Sequence, residues 1–530
     1  MSTSFLQYGL VFLEYAIVLT GLVAPLVAYY STSYPLLRFF IYNSDALYLP
    51  SLYADVLSGD NLAKWSFPPT PYIFPDMVLY FLIRIITPSV HTAMVVFGMI
   101  QYLVFALGVM LLAGRLLSRS YGLAPYGLIA LMSALFLFLL GKLEFYSQMI
   151  FAGTFHFGVV LIIPFVLAIS LRLISEPEVR LPLVGALCIL SFLTSASDGL
   201  YLTQVAVPLV GSWVALFVTK KVRIRHTLVI GISVILSSLI GLVLSLVNIL
   251  RYSTMGMYVF RPNSIYSSFL KSFNSLVSIT QYHAILAAVF LGVCIFVFIK
   301  HLVQSSLRKT STADSKSVLL SSFFSLALIV NTIVIIGLGV FIDRNGFRYF
   351  LPFLIFSGFW GIPLVVGIPQ AIKPVFVKVV VSCALVGVTI FGLRSMDIQR
   401  FSRVFTDVYY PPFVKCMDEN TARLGIRNGI SQYWQARPIS LLTQNNLRVV
   451  QVGRDLSPFH WISNLNWYAM EPEFAIIDLA VPENHPFRLD EQLITSRFGK
   501  PDATFQCEQS KVIVYRHFDS KFRSLFEKAQ

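Results

Sequence analysis

Long apolar runs separated by short polar loops dominate the first 394 residues of the chain. A membrane-spanning helix needs about 20 consecutive apolar residues, and runs near that length recur along this part of the sequence. The fold class predicted is therefore a polytopic α-helical membrane protein with about eleven transmembrane helices. The predicted spans are Tyr8–Ala28, Thr92–Ala113, Leu123–Leu140, Phe151–Leu171, Leu181–Ser195, Leu200–Val218, Leu228–Leu250, His283–Ile299, Val318–Phe341, Tyr349–Ile368 and Val375–Leu393.

The pattern changes after Arg394. Charged residues become frequent in residues 395–530, and no apolar run is long enough to span a bilayer. The short runs LRVVQVG, FAIIDLA and KVIVYR are typical of strands and alternate with polar and helical stretches. We therefore predict a transmembrane domain over 1–394 and a soluble α/β domain over 395–530.

Composition supports the membrane class. Hydrophobic residues make up 56% of the chain and charged residues 12%, whereas soluble domains carry about 25% charged residues. The net charge of +14 is spread over many short loops. This spread does not match the clustered basic patch of nucleic-acid-binding proteins, so we predict no nucleic-acid partner.

Basic residues alternate from loop to loop, which predicts the topology. One set of loops contains Arg115, Arg172, the run KKVRIRH, Lys309 and Lys373, and the positive-inside rule makes that side cytoplasmic. The N-terminus is then cytoplasmic and the C-terminal domain exoplasmic. A long first outer loop, 31–90, carries the pattern of amphipathic interfacial helices.

Several carboxylates gather on the predicted outer face. Asp45 in NSDALY, Glu144 and Asp198 each adjoin an apolar span and aromatic residues. An ionisable group at such a boundary is costly unless it faces a cavity or a partner, so these three are candidate catalytic residues. The remaining acids of the first loop are interpreted as solvated charges: Asp55, Asp60 and Asp76.

Cations on the same face run against the positive-inside bias. Arg261, Arg344 and Arg348 are candidates for a phosphate group, because guanidinium forks match phosphate oxygens; pairing with bulk lipid or with Asp343 is the alternative. His156 opens a span, and a lone histidine there is more often packed than catalytic. No His, Cys, Asp and Glu cluster has metal-ligand spacing, and a requirement for Mg²⁺ or Mn²⁺ stays open.

Two features of the C-terminal domain add candidates. Cys416 and Cys507 both fall in it, and an oxidising exterior permits a disulfide between them, although the sequence leaves their pairing open. Aromatic residues suited to sugar stacking include Tyr433, Trp434 and Trp467, with domain core or membrane packing as the alternative.

Three segments together resemble the polytopic type C glycosyltransferases, which use polyprenyl-phosphate sugars. NSDALYLPSLYADVLSG resembles the acidic first-loop motif of that superfamily, RYFLPF (348–353) resembles its late arginine–tyrosine segment, and the tail after Arg394 resembles its outer domain. The usual adjacent acidic pair is missing, since Asp45 is followed by Ala46. The resemblance implies a multi-pass protein of the bacterial inner membrane with its C-terminal domain in the periplasm.

The resemblance also implies an activity and roles. The enzyme would move a sugar from a polyprenyl-phosphate donor to a hydroxyl of a glycan, lipid or protein acceptor on the exoplasmic face, with inversion. Asp45 would be the general base, Asp198 and Glu144 would hold acceptor hydroxyls or a nearby cation, and Arg348, Arg344 or Arg261 would stabilise the departing phosphate. Tyr48, His156 and Trp434 complete the predicted substrate-binding set.

Two other classes stay open. A transporter or flippase of a lipid-linked or anionic substrate would also contain charged residues, but near the bilayer midplane and in repeated halves. The charges here gather at one predicted face, and no half of the chain repeats the other. A non-catalytic scaffold for envelope assembly is the second alternative, and the outer arginines argue against it.

Overall fold

The computed structural model describes residues 3–116, 124–140, 145–153, 155–246, 251–252, 264–278, 315–339, 344–353, 374–406 and 409–515, with isolated residues between 289 and 356. Glu144 and Arg261 lie outside the described residues, and so does the side chain of Arg344. Their predicted roles therefore stay predictions.

Apolar helices form the N-terminal domain. They are α1 (Thr3–Ile41), α4 (Val90–Leu116), α5 (Ala124–Leu140), α6 (Phe157–Ile174), α7 (Leu181–Ser197), α8 (Val207–Val218), α9 (Ile224–Leu246), α11 (Ser315–Gly337) and α12 (Pro374–Ser395). Within the described residues, five helical segments are long and apolar enough to cross a membrane: Phe12–Ile41, Val90–Leu116, Phe157–Ile174, Ile224–Ser245 and Ser315–Gly337. Shorter apolar helices accompany them, so the mostly helical fold with several candidate membrane spans agrees with the predicted class by length and composition.

The count of eleven spans is not established. The predicted spans His283–Ile299 and Tyr349–Ile368 fall mostly outside the described residues. The first span also differs from its prediction, because α1 continues from Ala28 to Ile41. Its added turns bury the aromatic rings of Tyr30 and Phe40 in the core, and this packing carries the helix past the end of the purely apolar run.

The first loop folds as a compact unit on the helices. It contains α2 (Tyr48–Leu57), β1 (Trp65–Phe67), a π-helical turn (Ile73–Met77) and α3 (Val78–Ile86). Helix α3 buries Tyr80 and Ile83 while its other apolar side chains, such as Leu82 and Ile86, are exposed. An exposed apolar face of this kind suits contact with a bilayer.

The C-terminal domain is built on a five-stranded sheet in the order β4-β3-β6-β8-β7. Its strands are β3 (Asn428–Ser431), β4 (Arg448–Gln451), β6 (Phe474–Asp478), β7 (Ala503–Cys507) and β8 (Ser510–Val514). Strand β3 is parallel to β4 and to β6, whereas β8 is antiparallel to β6 and β7. The three predicted runs form β4, β6 and β8, which confirms the α/β prediction.

Helices and a disulfide complete this domain. Three helices accompany the sheet: α14 (Pro412–Leu424), α15 (Tyr433–Leu442) and α16 (Glu491–Phe498). Two further helices lie earlier in the chain, α10 (Ile265–Ser278) and α13 (Ile398–Thr406). Cys416 of α14 is joined to Cys507 of β7 by a disulfide. The pairing that the sequence left open is therefore present.

A small second sheet links the two domains. Strand β1 of the first loop pairs in parallel with β2 (Arg251–Tyr252) and antiparallel with β5 (Ser463–Asn464) of the C-terminal domain. Trp65 of β1 is fully buried and packs edge-on against Trp467, with ring centroids 5.2 Å apart. The first loop is thus held between the membrane helices and the C-terminal domain.

Candidate functional site

A turn of the first loop carries Asp76 into the protein interior. The backbone N–H of Tyr72 donates to the Ser197 carbonyl oxygen at 3.3 Å, and that of Phe74 donates to Ser197 Oγ at 2.9 Å. Ser197 is the last residue of α7, so the turn is fastened to the end of an apolar helix. Asp76 is only 2% exposed, and the interpretation of Asp76 as a solvated charge is therefore wrong.

The Asp76 carboxylate lies directly against the start of α6. A methyl group added to Gly158 would lie 2.2 Å from Asp76 Oδ2, far inside van der Waals contact. Only glycine leaves room for the carboxylate at this place. Oδ1 of Asp76 is buried and accepts no hydrogen bond within the part of the chain that the structure describes. An acceptor atom left in this state is costly in a folded protein.

His156 and Asp198 form a hydrogen-bonded pair beside it. His156 Nδ1 donates to Asp198 Oδ2 at 2.6 Å, and both residues are 4% exposed. The other oxygen, Oδ1, accepts the backbone N–H of Leu200 at 3.0 Å. Because an ionised carboxylate only accepts, the proton of a neutral His156 lies on Nδ1 and Nε2 is free to accept.

Two tyrosines flank the histidine ring. Tyr72 OH approaches His156 Nε2 at a long 3.5 Å, and the Tyr349 ring centroid is 5.5 Å from that of His156. Tyr72 and His156 both have left-handed backbones, with φ of 52° and 66°. Non-glycine residues in that region are strained, and such strain concentrates at functional sites.

The arginine–tyrosine segment is anchored next to this histidine. The Tyr349 carbonyl oxygen accepts Gln204 Nε2 at 2.8 Å and Asn331 Nδ2 at 3.0 Å. Arg348 Nη2 donates to Tyr349 OH at 3.2 Å, and its guanidinium lies over the Tyr349 ring. The structure therefore brings three predicted residues, His156, Asp198 and Arg348, into one neighbourhood through Tyr349.

The electrostatics of this neighbourhood act on Asp76. Burial raises the pKa of the Asp76 carboxyl from 3.8 to about 7, and repulsion by the Asp198 carboxylate adds to that increase. Asp76 thus changes protonation near neutral pH. We call Asp76, His156 and Asp198, together with Tyr72 and Tyr349, the buried acid–histidine cluster.

Asp45 lies elsewhere, at the contact with the C-terminal domain. It accepts a hydrogen bond from Tyr433 OH at 2.5 Å. The neighbouring Ser44 donates through Oγ to the Tyr433 carbonyl oxygen at 2.7 Å, and its own carbonyl oxygen accepts Arg437 Nη1 at 2.7 Å. Arg437 is 3% exposed. These contacts fasten the loop after α1 to α15, and the catalytic role of Asp45 stays a prediction.

The other loop acids also bind the C-terminal domain. Asp55 accepts Asn464 Nδ2 at 2.7 Å and Trp467 Nε1 at 3.0 Å, and Asp60 accepts Asn464 and Asn466, each at 3.2 Å. The interpretation of Asp55 as a solvated charge is therefore wrong, whereas Asp60 binds these amides and stays partly exposed to solvent. Trp467, a candidate for sugar stacking in the sequence, packs edge-on against Trp65, which is a packing role of the kind given as the alternative.

Two remaining candidates have different surroundings. Tyr48 is fully buried, and its hydroxyl donates to the Pro71 carbonyl oxygen at 2.9 Å, which supports the turn that begins at Tyr72. Trp434 is 44% exposed and packs edge-on against Tyr433. The predicted contacts of Tyr48 and Trp434 with substrate stay predictions.

The described residues contain no ready-made set of metal ligands. In the described ranges, no group of three or more His, Cys, Asp and Glu side chains is arranged to hold one. The buried acid–histidine cluster supplies two carboxylates and one imidazole whose Nδ1 is already committed to Asp198.

Sequence reasoning missed Asp76, although one signal was present. Asp76 is the only charged residue between Trp65 and Ile83. A single acid inside so long an uncharged stretch is rarely a loop charge in water. Comparison with known proteins gives no further guide, because no protein-family model and no curated protein sequence matches the chain.

Proposed function

We propose that this protein is a membrane glycosyltransferase that moves a sugar from a polyprenyl-phosphate donor to an acceptor hydroxyl. The observation that carries the proposal is the Asp76 carboxyl, buried against Gly158 with a pKa of about 7 and with Oδ1 accepting no hydrogen bond from the described residues. A general base works best when its pKa lies near the operating pH.

The residues suggest how the reaction would run. Asp76 would accept the proton of the acceptor hydroxyl while that oxygen forms a bond to the anomeric carbon. The bond between the anomeric carbon and the phosphate oxygen would break on the opposite side, and its electron pair would stay on the lipid phosphate. Inversion follows from this geometry. Asp76 is a better candidate for the base than Asp45, whose carboxylate already binds Tyr433.

Arg348 would stabilise the departing phosphate. A guanidinium offers several N–H donors in a rigid fork, and electrostatic stabilisation of developing charge is often the largest catalytic contribution in a dry site. Tyr349 contacts both Arg348 and the ring of His156, so the segment holds the arginine near the cluster. His156 and Asp198 are positioning residues in this proposal.

Donor turnover and donor binding would be tested separately. Detergent-purified protein would be supplied with polyprenyl-phosphate hexoses and pentoses together with a glycan that offers acceptor hydroxyls, and release of polyprenyl phosphate would be measured. We expect Asp76→Asn to lower turnover by about 10²-fold or more without loss of the thermal stabilisation that polyprenyl phosphate gives. Arg348→Ala should lose that stabilisation. The matched control is Glu178→Gln, because Glu178 is an exposed acid in the loop between α6 and α7.

One observation favours a transporter as the second candidate. A buried carboxylate that titrates near neutral pH also suits proton-coupled transport. The cluster, however, lies where α6 begins and α7 ends and not in the middle of either helix. The test is proton-driven uptake of a lipid-linked or anionic substrate into proteoliposomes. Uptake that Asp76→Asn abolishes, together with no release of polyprenyl phosphate, would decide for transport.

A further inference from the structure

A polar pocket of about 500 Å³ opens on the C-terminal domain. It shares no residue with the buried acid–histidine cluster. Its lining consists of two carboxylates, two amides, one hydroxyl and one aromatic ring, contributed by Asp478, Glu508, Gln435, Gln509, Ser510 and Phe413. We call it the C-terminal pocket.

The C-terminal pocket lies at the carboxyl ends of β3 and β6, which is the place in a sheet where α/β domains commonly bind ligands. Strand β3 lies between β4 and β6 and is parallel to both. The chain passes from β3 through α15 to β4 on one side and later returns to β6 on the other, so the connections diverge at the carboxyl ends of β3 and β6. A crevice at such a topological switch point is the general ligand site of open parallel sheets.

The lining residues come from those carboxyl ends. Asp478 is the last residue of β6, and Gln435 lies in the first turn of the helix that follows β3. Glu508 and Gln509 approach from the turn between β7 and β8, and Ser510 is the first residue of β8. Segments distant in the sequence therefore converge on one pocket because of the strand order.

Hydrogen bonds fix the polar groups of the wall. Ser431 Oγ donates to Gln435 Oε1 at 3.1 Å, and Gln435 Nε2 donates to Ser510 Oγ at 2.9 Å. Gln432 Nε2 donates to Asp478 Oδ2 at 3.2 Å. A carboxylate has about four acceptor positions and a primary amide two donors, so Asp478 and Gln435 can still bind a ligand. A wall fixed in this way loses little conformational entropy on binding.

The chemistry of the wall selects the ligand class. Asp478 and Glu508 disfavour anions, and the six lining residues include no lysine or arginine. Amides, carboxylates and a hydroxyl together offer donors and acceptors to adjacent hydroxyl groups, while the Phe413 ring offers an apolar face. A neutral or amine-bearing carbohydrate has this combination of hydroxyl groups and an apolar ring face.

Helix α15 joins the C-terminal pocket to the membrane domain. Gln435 lines the pocket, whereas Tyr433 and Arg437, one helical turn apart, bind Asp45 and Ser44 of the first loop. A ligand in the pocket would therefore lie about one helix diameter, roughly 10 Å, from the first loop.

We propose that the C-terminal pocket is a binding site for a neutral or amine-bearing carbohydrate. Its assignment as a site for the acceptor glycan rests on the proposed transferase function. Binding itself does not rest on it, and can be measured with no donor present.

The test uses the full-length protein in phosphatidylcholine nanodiscs and three probes: maltotriose, the glucosamine trimer and the galacturonate trimer. Binding would be followed by isothermal titration calorimetry. We expect saturable binding of maltotriose or the glucosamine trimer, and at least about tenfold weaker binding of the galacturonate trimer because of like-charge repulsion. Failure of both non-acidic probes to bind, or equal binding of all three, would overturn the proposal.

Variants place the site. Asp478→Ala and Gln435→Ala should each weaken binding at least about tenfold, with folding checked by thermal unfolding. Glu508→Gln changes an exposed side chain of the turn and should increase affinity for the galacturonate trimer. Glu483→Gln, whose side chain is 88% exposed in the same domain, should change nothing. Unchanged binding in both alanine variants would place the carbohydrate elsewhere. Binding without any sugar transfer would support this site and count against the transferase.

Discussion

His156 at the start of α6 is hydrogen-bonded to Asp198 at the end of α7, with 2.6 Å between Nδ1 and Oδ2. The bond joins two apolar helices at the ends where the first loop packs against them. It also fixes the tautomer of His156 and holds a second carboxylate near Asp76. The candidate chemistry of the protein therefore depends on a contact between residues 42 positions apart.

The first prediction concerns the strength of this pair. We expect a double-mutant cycle of His156→Asn and Asp198→Asn to give a coupling free energy of about 1.5–3 kcal/mol, as for buried hydrogen bonds to charged groups. Asparagine tolerates the left-handed backbone at position 156. The measurement is the free energy of unfolding in mixed micelles. The control pair is Arg172 and Glu176, which are 2.8 Å apart with the arginine side chain 41% exposed. That pair should couple by about 0–1 kcal/mol.

The second prediction concerns pH and Asp76. The folded pKa of about 7 lies above the unfolded value of 3.8, so the folded state binds more protons between these values. Stability is therefore greatest below about pH 4 as far as this group is concerned, and falls as pH rises through about 7.

Replacement of Asp76 by asparagine removes this dependence. We expect Asp76→Asn to raise the melting temperature relative to wild type more at about pH 8 than at about pH 5. The corresponding gain in the free energy of unfolding at the higher pH has an upper limit of about 4 kcal/mol. The same variant should lose turnover. An equal difference in melting temperature at both pH values would contradict a buried carboxylate that titrates near neutral pH.

The third prediction concerns the glycine that admits Asp76. A methyl group at Gly158 would meet Asp76 Oδ2 at 2.2 Å, whereas nothing lies within 4 Å of a methyl group at Gly185. Gly158→Ala should therefore displace the carboxylate, reduce turnover and lower stability by about 1–3 kcal/mol. Gly185→Ala, inside α7, should be neutral or stabilise by up to about 1 kcal/mol through helix propensity. Similar melting temperatures for the two variants would rule out the tight contact.

The fourth prediction separates docking from catalysis at Asp45. If Asp45 fastens the C-terminal domain, Asp45→Asn and Tyr433→Phe should have similar effects. Both should speed amide hydrogen exchange in α15 by about tenfold, because each weakens one charged hydrogen bond. Trp434→Phe, at an exposed neighbour, is the control. A far greater loss of turnover in Asp45→Asn than in Tyr433→Phe, with exchange unchanged, would restore Asp45 as the base.

Much of the architecture follows from the sequence alone. Apolar runs of spanning length require a bilayer or a protein core regardless of their neighbours in the sequence. For that reason helices such as α4, α6 and α9 overlap predicted spans, although their ends differ by several residues. The short apolar run FAIIDLA, with its adjacent isoleucines, likewise favours a buried strand, and it forms β6. Cys416 and Cys507 were placed in one domain by the same composition shift, although only the fold brought their sulfur atoms into bonding distance.

The tertiary structure alone decided which charges are buried. Asp45, Asp55 and Asp76 are all acids of the first loop, and the sequence singled out Asp45; the first two bind the C-terminal domain, whereas the third lies against α6. The free energy of a carboxylate depends on the dielectric and partners around it, and those are supplied by segments more than 80 residues away. Sequence patterns with a local period encode helices and strands, but they carry no information about which distant atoms surround a charge.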